Sequence, residues 1–125
     1  MQYMEVTDKS VQEVIDSLKE ITSKYKYGIQ HIHNVQETLK SKGIDLGNEC
    51  QIVDICNPIV AEKFLSEDMS LSIIMPCKIA VYTQDGETII AMNSLVQLVD
   101  DINPDLIEIA QEAQEQLLEI IDEIK

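Results

Sequence analysis

Apolar residues recur along this chain at two spacings, and the switches between them mark out its elements. Val11, Val14, Ile15, Leu18 and Ile21 step by three and four, the period of a helix that turns one stripe toward a core. Ser10 stands just before that stripe with Glu13 three positions on, the pairing that caps a first turn reciprocally. A strand over 3–7 precedes this helix, and a short strand over 29–33 follows it once Gly28 has ended the turn. Asn34 and Glu37 form a second capping pair. Val35 and Leu39 lie one turn apart behind it, and Gly43 stops the short helix they define.

The next strand covers 51–56 and runs straight into Asn57-Pro58. An N-cap residue followed by proline at the first helical position predicts a helix over 58–65. Segments 70–76 and 77–83 carry the β-branched residues of strands. Asp85-Gly86 is a hairpin turn, with 87–92 as the returning strand. A helix over 94–102 follows, and Asn103-Pro104 opens the last one by the same chemistry as Asn57-Pro58. In that last helix Leu106, Ala110, Ala113, Leu117, Ile120 and Ile124 form one stripe with acids on its back, read as core packing rather than a coiled-coil seam. No linker, repeat or low-complexity stretch divides the chain, so 1–125 is read as a single α+β domain. Its one sheet is expected to be antiparallel or mixed, with helices on one face.

Composition narrows the function classes. With 125 residues and 45% apolar content the chain can bury a core, built from aliphatic residues because it holds four Tyr, one Phe and no Trp. The net charge is −14, and every basic residue is a lysine. Phosphate backbones and anionic lipids need cationic neutralisation, so neither nucleic acid nor membrane is an expected partner. The few aromatic rings also leave little for bases to stack on. No run approaches the about 20 apolar residues of a membrane helix, and the opening residues lack a signal-peptide pattern. Three cysteines, Cys50, Cys56 and Cys77, are too few and odd for a secreted disulfide framework; the expected setting is a reducing cytoplasm.

Two runs carry a family resemblance. Ile52-Val53-Asp54-Ile55-Cys56-Asn57-Pro58-Ile59-Val60-Ala61 and Ile74-Met75-Pro76-Cys77-Lys78-Ile79-Ala80-Val81-Tyr82, with the Asp85-Gly86 hairpin and the tail from Asn103-Pro104, resemble the domain-of-unknown-function 302 family. The likeness is to the branch with a Cys-Asn-Pro motif and a later Pro-Cys pair, and it runs from Ser10 to Ile124. It implies a β-α-β(4)-α fold of the TATA-binding-protein-like group and a homodimer, and it supplies no activity. Another branch, with Gly and Leu in place of the two cysteines, implies that the thiols are not needed for folding. The chain departs from the pattern at Asn34 and near Asn93-Ser94, where the family often has Asp and Asp-Pro, and at His31 and His33.

Candidate chemistry gathers at Cys56. Its place just before an N-cap sets the sulfur near the positive end of a helix, which lowers a thiol pKa, while Asp54 on the same strand face opposes that effect. The competing reading of Cys56 is a small buried hydrophobe. Cys77 begins a strand after Pro76, and Cys50 has no motif around it. Neither Cys56 nor Cys77 belongs to a Cys-x-x-Cys pair. His31 and His33, at i and i+2, make half a metal site, which Cys56 or Cys77 would complete only if the fold joined them. Glu67-Asp68 and Asp100-Asp101 read as solvated charge. No phosphate loop, dinucleotide fingerprint or nucleophile elbow is present, so no cofactor is expected. The leading expectation is a non-enzymatic binding or interaction module whose site is Cys56, Asn57, Pro58 and Cys77. Backbone amides there would hold a small anionic or thiol-reactive ligand. The alternatives are a thiol-dependent sulfur-relay or redox protein using Cys56 and Cys77, and a structural dimer.

Overall fold

The computed structural model describes residues 2–125. Five strands, β1 (Gln2–Thr7), β2 (Gly28–Asn34), β3 (Cys50–Cys56), β4 (Cys77–Gln84) and β5 (Glu87–Asn93), form one sheet in the order β1-β5-β4-β3-β2. Every neighbouring pair is antiparallel, which resolves the antiparallel-or-mixed expectation. Among the described residues there are also five α-helices: α1 (Val11–Ile21), α2 (Val35–Ser41), α3 (Pro58–Glu67), α4 (Leu95–Ile102) and α5 (Ile107–Ile124). With α2 and α3 inserted between strands, this is the β-α-β(4)-α order.

The local signals act as their chemistry dictates. Ser10 and Glu13 close a reciprocal capping box on α1, and Asn34 accepts from the Glu37 amide at the start of α2. Asp85 and Gly86 both have positive φ, at 52° and 80°, as a two-residue hairpin turn between β4 and β5 requires. Lys9 Nζ donates to the Ile124 carbonyl at 3.0 Å, placing a cation on the negative end of α5.

Strand alternation sorts the sheet into two unlike faces. Val53 and Ile55 of β3, Ile79 and Val81 of β4, and Ile90 and Met92 of β5 are buried in the core. Val14, Ile15 and Leu18 of α1, Val99 of α4, and Ala110, Leu117 and Ile120 of α5 belong to the same buried cluster. Among the described residues, none of the opposite parity in the sheet is buried.

One expected strand is absent. Residues 70–76 lie instead within a 3-10 stretch, Met69–Ile74, followed by the link into β4. Asp68 caps that stretch by accepting from the Ser70 amide at 2.9 Å, and Asn103 Nδ2 donates to its other oxygen at 3.0 Å. These bonds tie the segment to the start of the last helical region, and β3 already has β2 and β4 as neighbours. The β-branched content of Ile73 and Ile74 was the misleading signal. Asp68, expected as solvated charge, is therefore a structural clamp. Hydrogen bonds from Ser70 and Asn103 hold its carboxyl below the usual carboxylate range.

Candidate functional site

The site begins where β3 becomes α3. Asn57 takes extended backbone angles and its Oδ1 accepts from the amides of Ile59 at 3.0 Å and Val60 at 3.4 Å, while Pro58 occupies the first turn. The predicted cap is thus in place. Its consequence differs from expectation, because the side chain already uses two of the amides that an anion would need.

The thiols do not behave as helix-activated groups. Burial pushes Cys56 above its ordinary pKa, and does the same to Cys50. Cys77 rises furthest, to about 11, through burial first and then the nearby Cys56 charge. The helix end predicts a lowered Cys56 pKa; burial of the sulfur overrides that effect here. Asp54, the other group expected to act on Cys56, is engaged by Lys78 Nζ at 2.8 Å. All three cysteines are free and partly buried. Antiparallel pairing sets Cys77 opposite Ile55, with Cys56 the next residue of β3, and both thiols border one small cavity at the end of the strand. Tyr27 completes the group: burial and the charges of Cys77 and Cys56 raise its pKa, and its hydroxyl donates to the Ala113 carbonyl at 3.4 Å.

Two adjoining cavities surround these residues. The larger is about 250 Å³ and reaches from Ile73 past Cys77 to Met92, Leu98 and Leu117. The smaller, about 30 Å³, lies between Cys56, Tyr27 and Phe64. They share a wall of Ile74, Met75, Pro76, Cys77 and Leu95. The larger falls just under the about 300 Å³ at which small-molecule sites begin, and the smaller equals the share of roughly one water in the liquid. Asn57 borders the smaller cavity, whereas Pro58 lines neither. Sequence reasoning found Cys56, Asn57 and Cys77 but missed Tyr27, Met75 and Leu95, which no local spacing connects to them.

The histidines stand elsewhere. His31 and His33 lie two apart on β2, past a bulge between Ile29 and His31, so they share a face, and both are exposed. Their ring centroids are 6.1 Å apart, and His33 Nε2 lies 3.2 Å from Thr38 Oγ1. The fold does not join them to Cys56 or Cys77. Among the described residues no group of three or more His, Cys, Asp or Glu is placed to hold a metal. A polar network that the sequence reading also missed fastens the helical layer: Gln114 Nε2 donates to Tyr3 Oη at 3.1 Å, and its Oε1 accepts from Ser94 Oγ at 2.9 Å and the Val96 amide at 3.1 Å. Gln114 sits next to the apolar Ala113, and that polar interruption beside the stripe was the available signal. Among the described residues no helix is long and apolar enough to cross a membrane.

Comparison with known proteins agrees with this geometry. The sequence profile of the domain of unknown function DUF302 matches residues 2–124. The crystal structure of an uncharacterized conserved DUF302 protein from Bacillus stearothermophilus superposes with a TM-score of 0.94. At 30% identity, that match covers 99% of this chain and 98% of that one. A search of curated proteins found no match.

Proposed function

We propose, for a chain that belongs to the DUF302 family of domains of unknown function, that it is a non-enzymatic small-ligand-binding module whose site is the cleft flanking Met75, Pro76 and Cys77. The observation that carries this reading is the pair of adjoining cavities sharing that wall, with both Cys56 and Cys77 on their borders. The walls are mainly aliphatic, and Asn57 already occupies the amides of Ile59 and Val60. Both features favour an uncharged, thiol-reactive ligand over an anionic one. The sulfur-relay or redox alternative uses the same two thiols and has less support, because a nucleophilic relay needs thiolate at neutral pH and burial raises both groups.

Timed alkylation read by mass spectrometry tests the reading. Iodoacetamide is neutral and iodoacetate anionic, yet both place a carbon on sulfur with loss of iodide. Folding should raise the iodoacetamide-to-iodoacetate rate ratio at Cys77 several-fold over the unfolded chain. Leu98→Phe, which fills the larger cavity, should slow the neutral reagent at Cys77. A ratio unchanged by folding, or labelling that occurs only on unfolding, removes the cleft as a ligand site.

A further inference from the structure

His31 and His33 are the chain's two histidines, and neither lines the cleft. They stand on β2, the last strand at one edge of the sheet, and both are exposed. A two-residue step along a strand, about 6.8 Å at about 3.4 Å per residue, sends both side chains out on one face. The ring centroids are closer than that step, at 6.1 Å, so the rings lean toward one another, with 40° between their planes. An imidazole nitrogen binds zinc at about 2.0–2.1 Å, which sets two rings on one ion about 4.5–6 Å apart, depending on the angle at the metal. The observed spacing stands at the wide end of that range. Small rotations within the staggered wells of two exposed side chains bring it to the middle.

The neighbours of the pair suit the same role. His33 Nε2 lies 3.2 Å from Oγ1 of Thr38, an exposed residue of α2. A ring nitrogen engaged in this way leaves Nδ1 as the ligating atom. Metal-bound histidines are ordinarily fixed by just such a bond at the other ring nitrogen. His31 pairs in register with Asp54 on β3. Lys78 Nζ holds that carboxylate at 2.8 Å, so Asp54 is a neighbour of the pair and not a third ligand. The chain as a whole, at −14, attracts cations.

We infer that His31 and His33 form a two-imidazole chelate for a first-row divalent transition ion, with Thr38 orienting His33 and the remaining coordination positions left to solvent. Imidazole suits zinc, copper and nickel, whereas magnesium and calcium take oxygen ligands. With two protein ligands the site is open, unlike a structural zinc site closed by four. It uses no residue of the cleft, so it goes beyond the ligand-binding reading and does not depend on it.

Titration of the full chain with Ni²⁺ tests the site, read by calorimetry and by the histidine ring protons in NMR spectra. One ion should bind per chain and broaden both histidines' signals together, and excess Mg²⁺ should not displace it. His31→Gln and His33→Gln should each weaken binding by about tenfold or more, because either leaves a single imidazole. Thr38→Ala should weaken it by about tenfold, and Thr38→Ser, which keeps the hydroxyl, should restore it. All three positions are exposed, so the variants are expected to fold, and circular dichroism melts establish that. Absence of Ni²⁺ binding overturns the proposal. Binding that survives loss of either histidine overturns it equally, by placing the ion at one imidazole or at the thiols. An unchanged affinity in Thr38→Ala overturns the orienting role of Thr38.

Discussion

The two faces of the sheet are made from the same strands and differ in nearly everything else. On one, Val53, Ile55, Val81 and Ile90 are fully out of water beneath the helices. On the other, Ile52, Ala80 and Ile89 alternate with them along the same strands, yet remain partly exposed. The covered face also holds the irregularities: the cavities beside Cys77, the raised thiol, and the Gln114 network that locks Tyr3 to α4. The open face is mostly apolar across β1, β5, β4 and β3, with the Asp54–Lys78 ion pair, His31 and His33 on the β2 side and Glu87 beside the hairpin. Alternation alone distributes side chains between the faces. What differs is whether a helix lies over them, so the helix-covered face carries most of the stability.

Truncation on β3 probes this contrast most strongly. Ile55→Ala should cost about 2–5 kcal/mol, because it opens a void in close-packed surroundings. Ile52→Ala, three positions away on the open face, should cost less than about half as much, since water can fill the space. Denaturant midpoints for the two variants measure the difference. Equal losses would mean that the open face is covered after all.

Alkaline pH separates the faces next. Folding favours the neutral Cys77 thiol. Above its ordinary value of 9.0 the unfolded chain releases a proton that the folded chain keeps until about pH 11. Stability should therefore fall as pH rises through that window, by up to about 2–3 kcal/mol. Tyr27, raised by burial, adds to the decline at higher pH. Unfolding free energies across the window should lose most of that slope in Cys77→Ala, whereas substitution of the open-face residue Tyr82 should leave it in place.

Smaller effects sharpen the boundary between the layers. Asn57→Ala removes the acceptor for the Ile59 and Val60 amides and should lower stability by about 1 kcal/mol. Because that frees helix-end amides beside Cys56, iodoacetate labelling of Cys56 should rise in the same variant; an unchanged rate would show that burial alone governs this thiol. Least costly is Asp54→Asn on the open face. With the Lys78 side chain 60% exposed, the ion pair should contribute no more than about 0.5 kcal/mol, and less at high salt, readable from thermal melts at two ionic strengths.

How much of this was legible in the residues follows from the range of each interaction. Ser10 with Glu13, Asn57 before Pro58, and Asp85-Gly86 work within four positions of themselves, so they announce helix starts and a hairpin without reference to the rest of the chain. The stripe from Leu106 to Ile124 likewise declares a helix with one buried side. Segment 70–76 was misread because its 3-10 form depends on Asn103 reaching Asp68, a contact between residues far apart in the chain. The candidate site has the same divided origin. Asn57 and the two cysteines stand in recognisable motifs. Their meeting with Tyr27, Met75 and Leu95 depends on β3 lying between β2 and β4 and on how the helices close over them. Whether a thiol is raised or lowered was likewise beyond local pattern: the cap identifies the helix end near Cys56, but desolvation is a property of everything packed around the sulfur.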